Sequence, residues 1–143
     1  MAMFGNLSGA RAVTMPTEGS FALSASGDNL FNIENVSGQN TTGLIYVFGN
    51  ENSVNQTIAI YTYNLSTYYS PTTTRYIRIK EVTRAVNENG YGNVFLYLST
   101  YSGSWTTTDQ YATSTSSSIS DIYGRNEVGQ PCSMNYLIVR TGY

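Results

Sequence analysis

Histidine is absent from this chain of 143 residues, and cysteine occurs once, at Cys132. Because histidine is the commonest general base and a standard zinc ligand, its absence excludes a Ser–His–Asp triad and the usual zinc sites. A single cysteine cannot form an internal disulfide, which excludes a small secreted scaffold held by such bonds. We therefore expect no enzyme, no metal site and no cofactor, and a fold stabilised by packing and strand pairing.

Charged residues are also scarce. Seven are basic and nine are acidic, which is 11% of the chain, against roughly 25% in typical soluble domains. Seven basic side chains are too few to bind a phosphate backbone, although four of them lie between residues 75 and 84, so we expect no nucleic-acid partner. A formal net charge of −2 gives copies of the chain little mutual repulsion, and this favours self-association.

Long apolar segments are missing too. No run approaches the roughly 20 residues that span a bilayer, so we expect no membrane insertion. Residues 1–16 lack the basic start and the uninterrupted apolar stretch of a secretory signal peptide. Since no signal peptide is visible, we expect the protein in a virion or in an extracellular assembly that it reaches without one.

The remaining candidates for a catalytic or metal site lack the required spacing. No two of the nine acidic residues are paired in sequence in a way that would supply the facing carboxyl groups of a glycosidase. Cys132 has no histidine to generate a thiolate. Asp28, Asn32 and Glu34 place several oxygens within seven residues, but the glycine and the dense ligand pattern of an EF-hand are missing. A solvated turn explains these three residues better than a calcium site.

Tyrosine is abundant, with thirteen residues among many Ser, Thr, Asn and Gly. A stiff tyrosine ring buries a large area at low entropic cost while its hydroxyl stays hydrogen-bonded, so this composition is typical of contact surfaces. It predicts a structural or recognition protein.

The pattern along the chain is that of an all-β protein. The helical period is nearly absent, and short runs of β-branched and aromatic residues alternate with Gly, Asn, Ser and Pro. The spacing predicts an antiparallel β-sandwich or a jelly-roll-like barrel. The predicted strands cover residues 20–26, 30–36, 43–48, 56–64, 76–86, 93–101 and 136–141.

The two longest predicted strands are separated by an Asn-Gly step, which predicts a β-hairpin. In the first of them Ile77 and Ile79 share one face, which we expect to be buried. The second is apolar or aromatic on both faces, which favours a central strand or a strand that contacts another subunit. The opposite face of the first strand, which we expect to be exposed, carries the basic residues Arg78, Lys80 and Arg84.

Residues 19–143 are predicted to form a single domain, preceded by an extended arm over residues 1–18. The arm contains Phe4, Leu7 and Val13, and its glycines give it little conformational preference of its own. Such a segment can add a strand to the sheet edge of a neighbouring copy. The alternative is a frayed or self-packed terminus.

Low charge, tyrosine-rich strands and this arm together predict a subunit that joins copies of itself into a ring, a tube or a filament. In composition the chain resembles the small virion proteins of tailed bacteriophages, such as capsid decoration, tail-tube and tail-fibre proteins. The resemblance implies a structural role and carries no site residues. The predicted assembly interface consists of Phe4, Leu7 and Val13 in the arm and of Phe95, Tyr97 and Tyr101 in the strand over 93–101.

An alternative function is the binding of a cell-surface glycan or receptor. Tyr101, Trp105 and Tyr111 cluster late in the chain, and exposed rings of this kind can stack on the faces of sugars. The competing interpretation is that Trp105 closes one end of the sandwich and that the tyrosines belong to the core rim or to an interface.

Overall fold

A computed structural model of the protein describes residues 17–23, 27–51, 55–69, 71–85, 94–100, 109–126 and 132–142. Within these ranges the prediction of an all-β fold is confirmed, since the chain forms nine strands, one short α-helix and one 3₁₀ turn. The helix α1 covers Ile33–Ser37, and the 3₁₀ turn covers Ser117–Ser120. The strands are β1 (Thr17–Leu23), β2 (Asp28–Asn32), β3 (Thr41–Glu51), β4 (Asn55–Tyr68), β5 (Thr74–Ala85), β6 (Val94–Leu98), β7 (Asp109–Ser114), β8 (Asp121–Asn126) and β9 (Cys132–Gly142).

The strands form two antiparallel sheets that enclose one core, which is the predicted sandwich-like architecture. The larger sheet has six strands in the order β1-β9-β3-β4-β5-β7, and the smaller sheet has three in the order β2-β8-β6. Because β1 begins at Thr17, the last two residues of the predicted arm lie in the larger sheet. Residues 1–16, which make up the rest of the predicted arm, lie outside the described ranges.

Alternation along the strands places every second side chain of the larger sheet in the core. The odd-numbered residues from 41 to 47 on β3, from 59 to 67 on β4 and from 75 to 79 on β5 point inward, and the predicted burial of Ile77 and Ile79 is confirmed. The smaller sheet and the short helices complete the core from the other side. The largest fully buried side chains are Ile33, Ile45, Val47, Leu65, Ile77, Ile79, Leu96, Leu98 and Ile122.

Two tyrosines of the inner face lie directly opposite glycines. Tyr63 pairs with Gly43 on β3, and Tyr136 pairs with Gly19 on β1. A Cβ atom at either glycine would collide with the ring of the opposite tyrosine. The absence of a side chain at each glycine therefore makes room for the tyrosine ring, which packs against the backbone of the neighbouring strand.

The predicted hairpin between the two longest strands is wrong. β5 pairs with β4 and β7 in the larger sheet, whereas β6 pairs with β8 in the smaller sheet. An Asn-Gly step permits a tight reversal, but burial of the apolar faces determines which strands pair. With the two strands in different sheets, Ile77 and Ile79 share one core with Leu96 and Leu98.

Arg84 lies on the inner side of β5, and the prediction that it shares the exposed face with Lys80 is wrong. A β-bulge shifts the pairing of β5 with β4 after Glu81, which lies opposite Tyr61. One extra residue turns the following side chains to the other face of the sheet. Arg84 is consequently opposite the buried Ala59.

The predicted strand over residues 30–36 ends at Asn32 and continues as α1, so the second half of that prediction is wrong. The Asn32 side chain accepts a hydrogen bond from the Asn35 backbone N–H at 3.1 Å and caps the helix. Glu34 lies in the first turn, where a carboxylate is favourable, and Gly38 with a φ of 94° follows the last turn. Local capping therefore overrides the β-propensity of this segment.

Candidate functional site

The outer face of the larger sheet is the surface that points away from the smaller sheet. Its central strands carry apolar side chains, although the outward face of an antiparallel sheet is commonly polar. In register, Leu137 on β9, Tyr46 on β3 and Ile60 on β4 lie side by side in one row. With their outward neighbours on β3 and β9 they form the apolar half of this face, which consists of Leu44, Tyr46, Phe48, Ile60, Leu137 and Val139.

The apolar half is accessible to solvent. Phe48 is 39% exposed, and the other five side chains are partly exposed. On β3, Ile45 and Val47 fill the core while Leu44 and Tyr46 point outward, so this strand is apolar on both faces. The inner set of side chains is buried by folding of the chain, whereas the outer set forms a partly exposed apolar patch.

The outer face of β4, β5 and β7 has a different composition. The register aligns three residues from each strand in a three-by-three grid, which we call the polar half. It adjoins the apolar half along β4. Its rows are Ser66, Tyr76 and Thr113; Asn64, Arg78 and Tyr111; and Thr62, Lys80 and Asp109.

Two diagonal contacts connect side chains within the polar half. Arg78 donates from Nε and Nη2 to the two carboxylate oxygens of Asp109, at 2.9 and 2.6 Å. These hydrogen bonds raise the pKa of Arg78 and lower the pKa of Asp109, so both groups stay ionised at neutral pH. The rings of Tyr76 and Tyr111 stack with centroids 6.4 Å apart, and Tyr111 is 71% exposed. Because Asp109 and Arg78 neutralise each other, the polar half has a net charge of +1, which comes from Lys80.

Described residues line two shallow concavities along the outer face. One, of about 280 Å³, lies in the polar half and is lined by Thr62, Tyr63, Asn64, Arg78 and Lys80. The other, of about 400 Å³, lies beside the apolar half and is lined by Glu18, Gly19, Phe48, Asn135 and Tyr136. Residues of β1 line the second of these concavities.

The two sheets are connected by polar side chains along the free edge of β6. The Gln110 side chain on β7 accepts a hydrogen bond from the Leu98 N–H at 2.9 Å and donates one to the Leu96 carbonyl at 3.1 Å. The Tyr61 hydroxyl accepts from the Leu96 N–H at 3.2 Å and from Arg84 Nη2 at 2.7 Å. Burial raises the pKa of Tyr61, which keeps the phenol protonated. The edge of β6 is therefore occupied from within the molecule and is closed to strand addition.

The predicted assembly residues that the structure describes lie on the smaller sheet. Phe95 packs beneath the Arg84 guanidinium, whose Cζ atom is 3.8 Å from the ring centroid. Tyr97 contacts Tyr123 with ring centroids 5.5 Å apart, and burial raises the pKa of Tyr97. Both residues are half-buried, and their role in assembly stays a prediction. The remaining predicted contact residues, apart from Tyr111, lie outside the described ranges; they are Phe4, Leu7, Val13, Tyr101 and Trp105.

Two of the acidic side chains are paired with arginines in half-buried positions. Glu34 accepts a hydrogen bond from Arg75 Nε at 2.7 Å, and Glu81 accepts one from Arg84 Nε at 2.7 Å. Burial opposes ionisation of Glu34, but hydrogen bonds from Arg75 and Gln39 outweigh it and lower the pKa of this carboxyl. Within the described residues, no three His, Cys, Asp or Glu side chains are grouped as metal ligands.

The burial of Tyr61 and Tyr63 has a signal in the sequence, although the composition alone points to contact surfaces. Ala59, Tyr61, Tyr63 and Leu65 occupy alternate positions of β4, and all four are buried. Gln110 has no comparable signal, because a single glutamine between polar neighbours is typical of an exposed position.

In the part of the chain that the structure describes, no helix has the length and apolar character needed to cross a membrane. Comparison of the chain with protein-family models, with curated proteins and with solved structures found no match.

Proposed function

We propose that the protein is a non-enzymatic structural subunit that assembles with copies of itself, and that the apolar half of the outer face is its contact surface. The observation that carries this proposal is the row of Leu137, Tyr46 and Ile60 across three adjacent strands on the side that faces water. Removing apolar surface from water contributes roughly 25 cal/mol per Å². A partner that covers these side chains is therefore stabilised on the sheet.

A second copy of the chain is a partner that fits this surface. Two copies of one face can meet in an isologous contact, in which each patch covers the same patch of the other copy. Sheets pack face to face about 10 Å apart, with side chains of both faces interdigitating. The formal net charge of −2 adds little repulsion to such a contact.

A subunit of this kind suits a virion or an extracellular fibre, which are the settings expected from the composition. An isologous contact closes after two copies, so a ring, tube or filament requires a second contact. The chain that precedes β1 enters the larger sheet at its edge strand. Addition of this arm to a neighbouring sheet would supply the second contact.

One tyrosine from each half of the outer face provides a matched test. Tyr46→Ser removes a ring from the centre of the apolar half, and we expect it to weaken self-association at least tenfold. Tyr111→Ser makes the same change in the polar half and should leave self-association unchanged. Sedimentation velocity over a concentration series measures the association, and circular dichroism verifies that both variants fold. If Tyr46→Ser associates as tightly as the wild type, the proposed contact surface is wrong.

A second candidate function is glycan recognition by the polar half, and the stacked pair of Tyr76 and Tyr111 is the observation that favours it. An exposed ring can stack on the apolar face of a sugar. The adjoining concavity offers the Asn64 amide and the Lys80 ammonium to sugar hydroxyl or carboxylate groups. A glycan array probed with the wild type and with Tyr111→Ser tests this candidate. Binding that disappears in the variant supports it, and an array without a ring-dependent signal rejects it.

A further inference from the structure

Charged side chains are unevenly distributed over the outer face of the larger sheet. Among the described side chains, four charges lie on this face, at Glu18, Arg78, Lys80 and Asp109. Arg78 and Asp109 neutralise each other through their bidentate contact. The two remaining charges have opposite sign and flank the apolar half, with Glu18 on β1 at one side and Lys80 on β5 at the other.

A stable contact between two copies has to reach both of these charges. The six strands are 6 to 14 residues long. At about 3.4 Å per residue and about 4.8 Å between strands, they give the outer face a planar area of about 1,000 Å². A standard interface buries about 800 Å² on each partner. The apolar half covers only part of the face, so the contact extends over β1 and β5 as well.

Two twofold axes in the plane of the face can superpose the apolar halves. A twofold axis perpendicular to the strands places each strand over the same strand of the second copy. This arrangement brings Glu18 near Glu18 of the second copy and Lys80 near Lys80 of the second copy. An axis along β3 lays β9 over β4 of the second copy and β1 over β5. The first arrangement opposes like charges and the second opposes unlike charges, so electrostatics favours the axis along β3.

We infer that two copies meet about a twofold axis along β3, and that Glu18 of each copy pairs with Lys80 of the other. This inference rests on the proposed assembly through the outer face. The cross-strand row that contains Glu18 on β1 ends on β5 at Thr83, so Glu18 of one copy lies over Thr83 of the other. Lys80 lies on the same face of β5, in the next cross-strand row. Two residues along a strand span about 7 Å, a distance that the two flexible side chains can bridge.

The arrangement also determines what the contact leaves uncovered. β7 is one strand further from β3 than β1 is, so no described strand of the second copy lies above it. Tyr111 on β7 is therefore outside the contact and remains exposed in the pair.

Charge reversal tests the inferred ion pair. Glu18→Lys and Lys80→Glu should each weaken association about tenfold, because each turns two symmetry-related attractions into repulsions. The double variant should recover the wild-type dissociation constant to within about threefold, since the pair is restored with exchanged partners. Thr113→Lys adds a charge on β7, outside the contact, and should have no such effect. In sedimentation equilibrium the effects of the single reversals should shrink as sodium chloride is raised, because salt screens exposed charges.

Cross-linking distinguishes the two axes directly. In a Cys132→Ser background, copies with Glu18→Cys should cross-link to copies with Thr83→Cys through a short bis-maleimide, and neither variant should cross-link to itself. Self-cross-linking of Glu18→Cys would overturn the axis along β3. A double reversal no better than the single ones would overturn the ion pair. Weaker self-association of the Tyr46→Ser variant would still support the proposed function in both of these cases. Self-association of Tyr46→Ser that equals that of the wild type would reject the proposed function itself.

Discussion

The two halves of the outer face belong to one sheet and follow the same alternation of side chains, but they expose different chemistry. In the apolar half Tyr46 stands between Leu137 and Ile60 in one row. In the polar half Tyr111 stands beside Arg78 and at the sheet edge. The same residue type is thus flanked by aliphatic neighbours at the centre and by a charged neighbour at the edge. Register neighbours, and not the tyrosine itself, determine which interaction each ring can make.

The position of each half in the sheet gives this difference a physical reason. Edge strands present unpaired backbone groups, and charged side chains near them discourage unwanted strand pairing. Glu18 lies on the edge strand β1, and Asp109 lies on the edge strand β7. Both backbone edges of each central strand are paired with neighbouring strands. Apolar side chains on these strands can therefore take part in a face-to-face contact without an unpaired backbone edge beside them. The outer face of the sheet therefore has charged residues on its edge strands and apolar residues at its centre.

The largest expected effect separates folding from association on a single strand. Ile45→Ala removes a fully buried side chain of β3 and should lower the free energy of unfolding by about 3 kcal/mol. Leu44→Ala, on the outer side of the same strand, should lower the unfolding free energy of the monomer by less than about 1 kcal/mol and weaken association instead. Urea denaturation at low protein concentration measures the first quantity. An equal loss of unfolding free energy in both variants would mean that the apolar half is packed within the molecule and is not a contact surface.

An intermediate effect concerns the polar groups that the fold itself uses. Glu34→Gln should lower the free energy of unfolding by about 2 kcal/mol, because it leaves the half-buried Arg75 guanidinium without a charged partner. Urea denaturation at neutral pH measures the loss. Unfolding free energies that agree between wild type and variant would show that α1 is not held to β5 by this ion pair.

The same variant predicts a pH dependence. The folded-state pKa of Glu34 lies below its ordinary value of 4.5, so the stabilisation is present above that value and is lost as the pH falls through the lowered folded pKa. The difference in unfolding free energy between wild type and Glu34→Gln should therefore be full at neutral pH and shrink in acid below about pH 4.5. A difference that stays constant into acid would contradict the assignment to an ionised carboxylate.

The smallest expected effect is in the polar half. Asp109→Asn breaks the bidentate contact with Arg78, but both side chains are substantially exposed, and exposed ion pairs contribute little to stability. We expect urea denaturation curves of the variant and the wild type to coincide within error. A loss as large as that of Glu34→Gln would show that the polar half is structural, and the contrast between the two halves would weaken.

Strands were predictable from the sequence where one face is apolar and the other polar. Ile77 and Ile79 alternate with Arg78 and Lys80, and the burial of the two isoleucines and the exposure of the two basic residues are confirmed. Arg84 was not predictable, because a β-bulge has no strong sequence signature and a single extra residue reverses the facing of those that follow. The hairpin failed for a related reason, since a local turn signal carries no information about which sheet the next strand joins.

The candidate site was only partly predictable. Low charge and many tyrosines predict a contact surface, but composition cannot assign a residue to a face without the register of its strand. Leu137 and Tyr46 are 91 positions apart in the sequence and become neighbours only through the pairing of β3 with β9. Buried tyrosines such as Tyr63 depend on an opposite glycine in another strand, which the sequence alone does not align. These are long-range pairings, and local patterns do not encode them.

Sedimentation equilibrium of the untagged wild-type protein from submicromolar to submillimolar concentration is the measurement closest to the central claim. An apolar surface at the centre of a sheet that is covered by a second copy predicts a monomer–dimer or higher association that strengthens with concentration. A single species with the 15.7 kDa mass of one chain at every concentration would contradict it.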